Sequence, residues 1–332
     1  MKKINNPHTI LISRTDSIGD VILTLPICSW LKEQYPQINI IFLGRKYTAP
    51  IIACFSAIDS FIDWNEVELL SEKEQIQFIQ AKQIDTCIHV FPKKEIAQLM
   101  KKSNVKNRIG TSHRFFHWAT CNIYIHFTRK NSPLHEAQLN FELLRPLGLT
   151  HLPSKNQIQE YLTEFKPIGA LSNFLQGIIQ LPNKKIILHP KSQGSAVEWP
   201  IENYITLAEE LVQEGYVVCF SGTENEGLQF RDKLPQHAHI IDISGKSTLK
   251  EFITFISQCD ALVACSTGPL HIAAILGIQA IGLYTDLSPM HPGRWAPIGE
   301  KALALTIGNT TNPKLEDITQ ISVSSVIQKI KG

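Results

Sequence analysis

Residues 9–26, TILISRTDSIGDVILTLP, decide how the chain is read. Thr9–Ser13 is a short apolar run rich in β-branched residues and predicts a buried strand. Arg14–Gly19 is a polar turn that ends in glycine. From Asp20 a helix is expected, with Val21, Leu25 and Cys28 on one stripe. Pro26 should kink or restrict it, and Pro36 lies past its end. Strand, glycine turn and helix make the first half of a βαβ unit. In such folds the ligand sits at the carboxyl end of the strand, over the helix N-terminus. Arg14, Asp16 and Asp20 are placed there. Either carboxylate could simply cap the helix, but three charges in one short turn favour a site.

Moving outward, Ile38–Leu43 and Ile84–Val90 (IDTCIHV) read as further buried strands. Ile51–Ile62 reads as mixed helix and strand, and Glu66–Lys82 as a polar helix. His135–Leu147 (HEAQLNFELLRPL) is an amphipathic helix ended by Gly148. Periodicity weakens over Thr150–Lys184, where Pro153, Pro167 and Pro182 collect, so a domain boundary belongs there, with a helix such as Ile168–Leu181. The βα rhythm then restarts. Strands are expected at Ile186–His189, Tyr216–Phe220, His239–Ile243, Asp260–Cys265 and Gln279–Tyr284. Helices are expected at Ile201–Gln213, Leu249–Gln258, after Ser266, and at Val323–Lys331. Alternating strands and helices imply parallel α/β sheets. The expected domains are 1–165 and 166–332, with room for the terminal helix to pack back on the first.

Bulk properties narrow the class. A chain of 332 residues exceeds one ordinary core, so two domains are the expectation. Net charge is only +2, which gives no global attraction to nucleic acid. Seven scattered cysteines with no C-x-x-C pair suggest reduced thiols in a cytoplasmic setting. The opening MKKINNPHTI does not read as a signal peptide, because Arg14 and Asp16 break the apolar run after it. No stretch of about twenty apolar residues is present, so no membrane span is expected. One segment stands out: Lys93–Lys130 carries nine Lys or Arg and a single acid, Glu95. Phe115, Phe116, Trp118, Tyr124 and Phe127 are interleaved. A solvated face and a docking surface for an anionic glycolipid or membrane weigh about equally here. No nucleic-acid reader motif accompanies it.

Three loops of the second half follow strand ends and should line one crevice. The first, His189–Pro200 (with PKSQGSAVEWP at 190–200), holds Ser192, Gly194, Ser195 and Ala196, whose small side chains allow close backbone approach. The second, Ser221–Gly227 (SGTENEG), offers Glu224 and Glu226 to a ribose. The third, Ser266–His271 (STGPLH), places Thr267 and Gly268 ahead of a helix with Pro269 near its start, a geometry suited to a diphosphate. His271 would project from the first turn. G-x-G-x-x-G, P-loop, H-E-x-x-H and G-x-S-x-G motifs are all absent. Asp-x-Asp is absent too, so backbone, hydroxyl and cationic groups are expected to meet the phosphate charge.

Taken in order, RTDSIGDVILTLP, HPKSQGSAVEWP, GTENEG and CSTGPLHIAAILG resemble the heptosyltransferases of glycosyltransferase family 9. The resemblance runs over nearly the whole chain, and the order of four motifs is more specific than any one. It implies a GT-B fold, two facing Rossmann-like domains with the active site in the cleft. It implies inverting, metal-independent transfer of heptose from ADP-heptose to a lipopolysaccharide core acceptor, without a cofactor and at the cytoplasmic membrane face. By motif, Asp20 matches the general base and Gly19 the glycine beside it. Ser192 lies in the phosphate loop, and Glu226 matches the acid on the adenosine ribose. Ser266, Thr267, Gly268 and His271 form the diphosphate turn. Arg14, Gly19, Lys101, Lys102 and Arg114 are the acceptor-side candidates. The chain departs from the family in two places. Val197 stands where a basic residue usually precedes Trp-Pro, and Ser266 stands where an Asp usually precedes the turn. Lys191, Arg294 or a domain-closure residue could supply the missing charge. The alternatives these departures suggest are a catalytically silent nucleotide-sugar or glycolipid-binding protein on the same fold, or a family member using a different nucleotide sugar.

Overall fold

The computed structural model describes residues 3–129, 132–308 and 313–332. Lys2 of the opening segment and Lys130, the last cation of the basic segment, lie outside them. Contacts divide the chain into two compact units, Met1–Lys166 and Pro167–Gly332.

The first unit is built on β1 (Thr9–Ser13), β2 (Asn39–Gly44), β3 (Ser60–Asp63), β4 (Thr86–His89), β5 (Asn107–Thr111) and β6 (Ile123–Ile125). They form one parallel sheet in the order β3-β2-β1-β4-β5-β6. Ile10, Leu11 and Ile12 of β1 are fully buried, as expected of a strand covered on both faces. The chain runs outward from β1 to β3 and then returns to β4 on the other side. The order therefore reverses between β1 and β4, and an open α/β sheet takes its ligand at that reversal, outside the strands' carboxyl ends.

The helix expected after β1 is two helices, Ile18–Ile22 and Leu25–Gln34. Pro26 sits in the first turn of the second, where its missing N–H costs nothing but cannot extend the first. Val21, Leu25 and Cys28 are buried together with Ile22 and Leu31. The polar helix Glu66–Lys82 likewise splits into Trp64–Val67 and Glu72–Ala81, the latter started by a Ser71–Glu74 capping box. The helix read at His135–Leu147 is α-helical over Glu136–Glu142 and tightens to a 3-10 turn at Arg145–Leu147, around Pro146. Gly148 ends it at φ 100°.

The second unit repeats the plan with β7 (Lys185–His189), β8 (Val217–Phe220), β9 (Ile240–Asp242), β10 (Ala261–Cys265), β11 (Gln279–Leu283) and β12 (Ala302–Leu305). Its parallel order is β12-β11-β10-β7-β8-β9, so the reversal falls between β7 and β10. Helix Ile201–Gln213 buries Tyr204, Leu207, Ala208 and Leu211, the face expected of it. The terminal helix Val323–Lys331 packs into this core through Val326, Ile327 and Ile330. The helix read at Ile168–Leu181 is shorter, Asn173–Ile179, and a separate helix forms at Lys155–Glu160. Among the described residues no helix is long and apolar enough to cross a membrane.

Candidate functional site

At the carboxyl end of β1 the chain turns through Arg14–Ser17 into helix Ile18–Ile22. Arg14 is buried, its side chain 3% exposed, and is enclosed by acceptors. Its Nε donates to Asp16 Oδ1 at 2.7 Å. One terminal nitrogen donates to Asp20 Oδ1, and the other to Glu136 Oε1 and Asn140 Oδ1, both at 3.3 Å. The second oxygen of Asp20 accepts from the Ser17 hydroxyl. Asp20 lies on the third residue of its helix, while Ser17 is the N-cap residue and makes no side-chain cap bond. The carboxylates are therefore engaged with Arg14 and Ser17 and do not cap this helix. Gly19 is buried in the first turn beside Asp20.

Burial opposes the Arg14 charge, but Asp16, Asp20 and Glu136 outweigh it and raise its pKa above the usual value. Burial also pushes the Asp16 carboxyl up to about 6, against the pull of Arg14 and helped by repulsion from Asp20. A proton thus resides in this turn near neutral pH more readily than on an ordinary aspartate.

Sequence reading missed half of this cluster. Glu136 and Asn140 arrive from a helix more than 120 residues away. Arg129 Nε donates to Glu136 Oε1 at 2.9 Å and its Nη2 to Asn140 Oδ1 at 3.0 Å. The available signal was a glutamate and an asparagine four apart, hence on one face, in a helix whose surroundings are apolar. Both are buried.

The other acceptor-side candidates lie elsewhere. Lys101 Nζ donates to the Ala119 carbonyl, and Lys102 pairs with Glu72 at 2.5 Å. Arg114 precedes helix Phe115–Thr120. Among the described residues, none of the three is hydrogen-bonded or ion-paired to Arg14. The basic segment is also less free than its charge suggests, since Lys93 pairs with Glu68 and Arg108 donates to the Thr120 carbonyl. Its exposed aromatics are real: Phe115 is 82% exposed and Trp118 63%, stacked edge to face.

In the second unit the loops after β7, β8 and β10 leave neighbouring strands. The first is held by its own polar groups. Glu198 Oε1 accepts from Ser192 N at 2.8 Å and from its hydroxyl at 3.0 Å. Glu198 Oε2 pairs with Lys191. Ser195 N and hydroxyl both donate to the Ser192 carbonyl, which tightens the turn. Gly194 adopts φ 80°, a conformation glycine takes without strain. Its N–H donates to the Ser192 hydroxyl. Trp199 N donates to Cys265 Sγ at 3.3 Å, which ties this loop to the end of β10. Val197 packs against the apolar core.

Glu226 is buried and its Oε2 accepts from Thr223 N at 2.6 Å in a capping box. Glu224, the other ribose candidate, is held by Arg231 instead. Thr267 is the N-cap residue of helix Gly268–Ile275, yet makes no cap bond, and its buried Oγ1 has no partner among the described residues. A buried hydroxyl in that state is poorly satisfied. Ser266 is half-buried, Gly268 opens the helix, and His271 is buried in its first turn. Arg294 lies on a short turn, over the Trp295 ring. Among the described residues, no group of three or more His, Cys, Asp or Glu is arranged to hold a metal ion.

His189, at the end of β7, bonds the Ser221 hydroxyl through Nδ1 at 2.9 Å. Burial pulls its pKa down to about 4, against Glu226 and Glu198, which pull it up. In the first unit, burial, with help from His117 and Arg108, pulls His89 down to about 3. Both values lie below the unfolded value of about 6.5, so the unfolded chain binds more protons in acid. The corresponding stability is complete above about pH 6.5 and is lost as pH falls toward 4. Thermal unfolding followed from pH 7.5 to 4 should show the midpoint falling in this window. His189→Asn should flatten the fall. An unchanged slope would show that His189 is not the group responsible.

A family model described as "Glycosyltransferase family 9 (heptosyltransferase)" matches residues 77–322. A Haemophilus influenzae protein provisionally named a glycosyltransferase is 29% identical over 304 residues, 88% of this chain and 86% of that one. Lipooligosaccharide heptosyltransferase 2 of the same organism is 24% identical over 315 residues, 90% of this chain and 88% of that one. Among solved structures, the ADP-heptose lipopolysaccharide heptosyltransferase II of Escherichia coli superposes with a TM-score of 0.77 at 18% identity, covering 98% of this chain and 97% of that one. That likeness shows the shared GT-B fold.

Proposed function

The chain belongs to glycosyltransferase family 9, and from that premise we propose that it moves a heptose from ADP-heptose to a lipopolysaccharide core acceptor, with inversion and without a metal or cofactor. The observation that carries this reading is the Asp20 carboxylate held between Arg14 and Ser17 at the end of β1. The acceptor hydroxyl attacks the anomeric carbon on the face opposite the nucleotide. Asp20 takes the hydroxyl proton as the new C–O bond forms, and the bond from the sugar to the ADP phosphate breaks.

Negative charge then grows on the departing phosphate. The second unit supplies groups suited to receive it: the buried Thr267 hydroxyl, the first N–H groups of helix Gly268–Ile275, and His271. Lys191, paired with Glu198 in the same set of loops, is the cation assigned in place of the family base missing at Val197. Ser192, Gly194 and Ser195 form the loop that contacts the phosphates. The Glu226 carboxyl is assigned to the adenosine ribose. Such chemistry does not need a metal, so chelation by EDTA should leave transfer unchanged.

A thermal-shift panel of ADP, UDP, GDP and their sugars tests the donor. Ligand at a hundredfold excess over Kd stabilises the folded state by about 2.7 kcal/mol, so ADP and ADP-heptose should raise Tm while UDP and GDP do not. A shift with UDP or GDP alone would overturn the assignment.

The acceptor reading also gives the exposed Phe115 and Trp118 a role, as the face that meets an anionic membrane beside Arg114. Binding to phosphatidylglycerol vesicles should fall about tenfold or more in Phe115→Ser/Trp118→Ser, since each apolar anchor withdrawn from the interface costs about 1.5–3 kcal/mol. Unchanged binding would leave these aromatics as plain surface.

A further inference from the structure

Glu136 is an acid with no role in the chemistry above, yet its side chain is only 1% exposed. Of the acceptor-side candidates it contacts Arg14. Its Oε1 accepts from Arg14 Nη1 at 3.3 Å and from Arg129 Nε at 2.9 Å. Asn140, one turn further along the same helix, accepts from the same two guanidinium groups. Its Nδ2 donates to the Leu23 carbonyl at 3.0 Å and the Thr24 hydroxyl at 3.3 Å, where helix Ile18–Ile22 ends. The pair therefore grips the Asp20 helix from both sides, once through Arg14 and once through its backbone.

From this geometry we infer that Glu136, seconded by Asn140, is a positioning residue that fixes the direction of Arg14 and through it the carboxylate of Asp20. The inference rests on the assignment of Asp20 as the base. Arg14 has one fork and three carboxylate partners. Without Glu136 the guanidinium keeps only Asp16 and Asp20 as carboxylate partners and can turn toward either. Oriented by Glu136, it presents separate N–H groups to each, and Asp20 keeps one fixed orientation. A planar guanidinium is suited to this task because its donors cannot move independently.

The second consequence is electrostatic. Among the described residues, this network brings together Arg14 and Asp16 from the turn after β1, Asp20 from its helix, and Arg129. From the turn after β2, Tyr47 donates to the Asp16 carbonyl at 2.6 Å, and Arg45 is held by Glu68. Glu136 neutralises part of the Arg14 and Arg129 charge. Its removal leaves more positive potential on Asp16, which favours its ionised form.

Glu136→Gln keeps the shape and one acceptor oxygen, so it tests charge and orientation together. The expected result is a loss of about tenfold in kcat with donor KM unchanged. The acid limb of the kcat profile should move to lower pH by about half a unit, because the Asp16 carboxyl now holds its proton less tightly. Glu136→Asp retains the charge and should return the limb to its parental position even where kcat stays reduced. A structural role alone would lower Tm and leave the limb in place, and that outcome would overturn the inference. Asp20→Asn is measured beside them. If it still turns over, the base assignment fails. If it is inactive and the Glu136→Gln limb does not move, this inference alone fails.

Discussion

Asp20→Asn is expected to lower transfer by about 10²–10⁴-fold, the range spanned by loss of a positioned general base. Asparagine fills the same space, so Arg14 keeps an acceptor at its Nη2 and Ser17 keeps a neighbour. ADP binding should stay within about twofold, since the residue acts on the acceptor and not on the nucleotide. Steady-state kinetics with calorimetric titration of ADP separate the two. Near-parental turnover would reduce Asp20 to a partner of Arg14 and Ser17 and move the base elsewhere. Asp16 would then be the neighbouring candidate, because its carboxyl is held up to about 6 by burial, against Arg14.

Gly268→Val is the second large effect. Gly268 is the first residue of its helix and follows a threonine whose hydroxyl is buried without a partner among the described residues. A diphosphate bound there would sit against backbone N–H groups, and a branched side chain at this position would hold it away. Donor kcat/KM should fall by about 10²-fold, the scale of losing one positioned donor to a developing oxyanion. Helix dihedrals suit valine at a first-turn position, so the unfolding midpoint should change little. His271→Ala should lower kcat more than it weakens ADP binding, if the imidazole meets charge that grows only in the transition state. Parental kinetics in both variants would remove this helix from the donor site and leave Ser192–Ala196 as the phosphate loop.

The sheets were legible because their central strands are continuous apolar runs. Ile10–Ile12, Ile186–Leu188 and Leu262–Ala264 are buried on both faces, which a period-2 or apolar-run reading detects. Strands β5 and β6 were not found. Asn107–Thr111 (NRIGT) and Ile123–Ile125 are short, carry an arginine or an exposed tyrosine, and sit toward the sheet edge inside a segment read for its charge. β12 was missed as well, because an edge strand with exposed Leu303 and Ala304 lacks a two-sided apolar signal. Helix breaks were legible only where proline marked them. Leu23–Thr24 follows from Pro26, while Glu68–Ser71 needed the Ser71 capping box.

For the candidate site, local grammar reached the turn and stopped. Arg14, Asp16 and Asp20 lie within seven residues and were seen as a charged group. Their partners Glu136 and Asn140 arrive through helix packing, and nothing in a window around Asp20 names them. The same limit applies to Glu198. Its proximity to Lys191 and Ser192 depends on the loop closing on itself at Gly194.

The most direct measurement of the central claim is acceptor-dependent release of ADP. Purified protein is mixed with ADP-heptose and a lipopolysaccharide core lacking the heptose, and free ADP is followed beside the acceptor mass. The account predicts one ADP released per heptose gained by the acceptor, and no release when the core is omitted. Tight binding of ADP-heptose with neither ADP release nor a mass gain would contradict it and leave the chain as a nucleotide-sugar-binding protein.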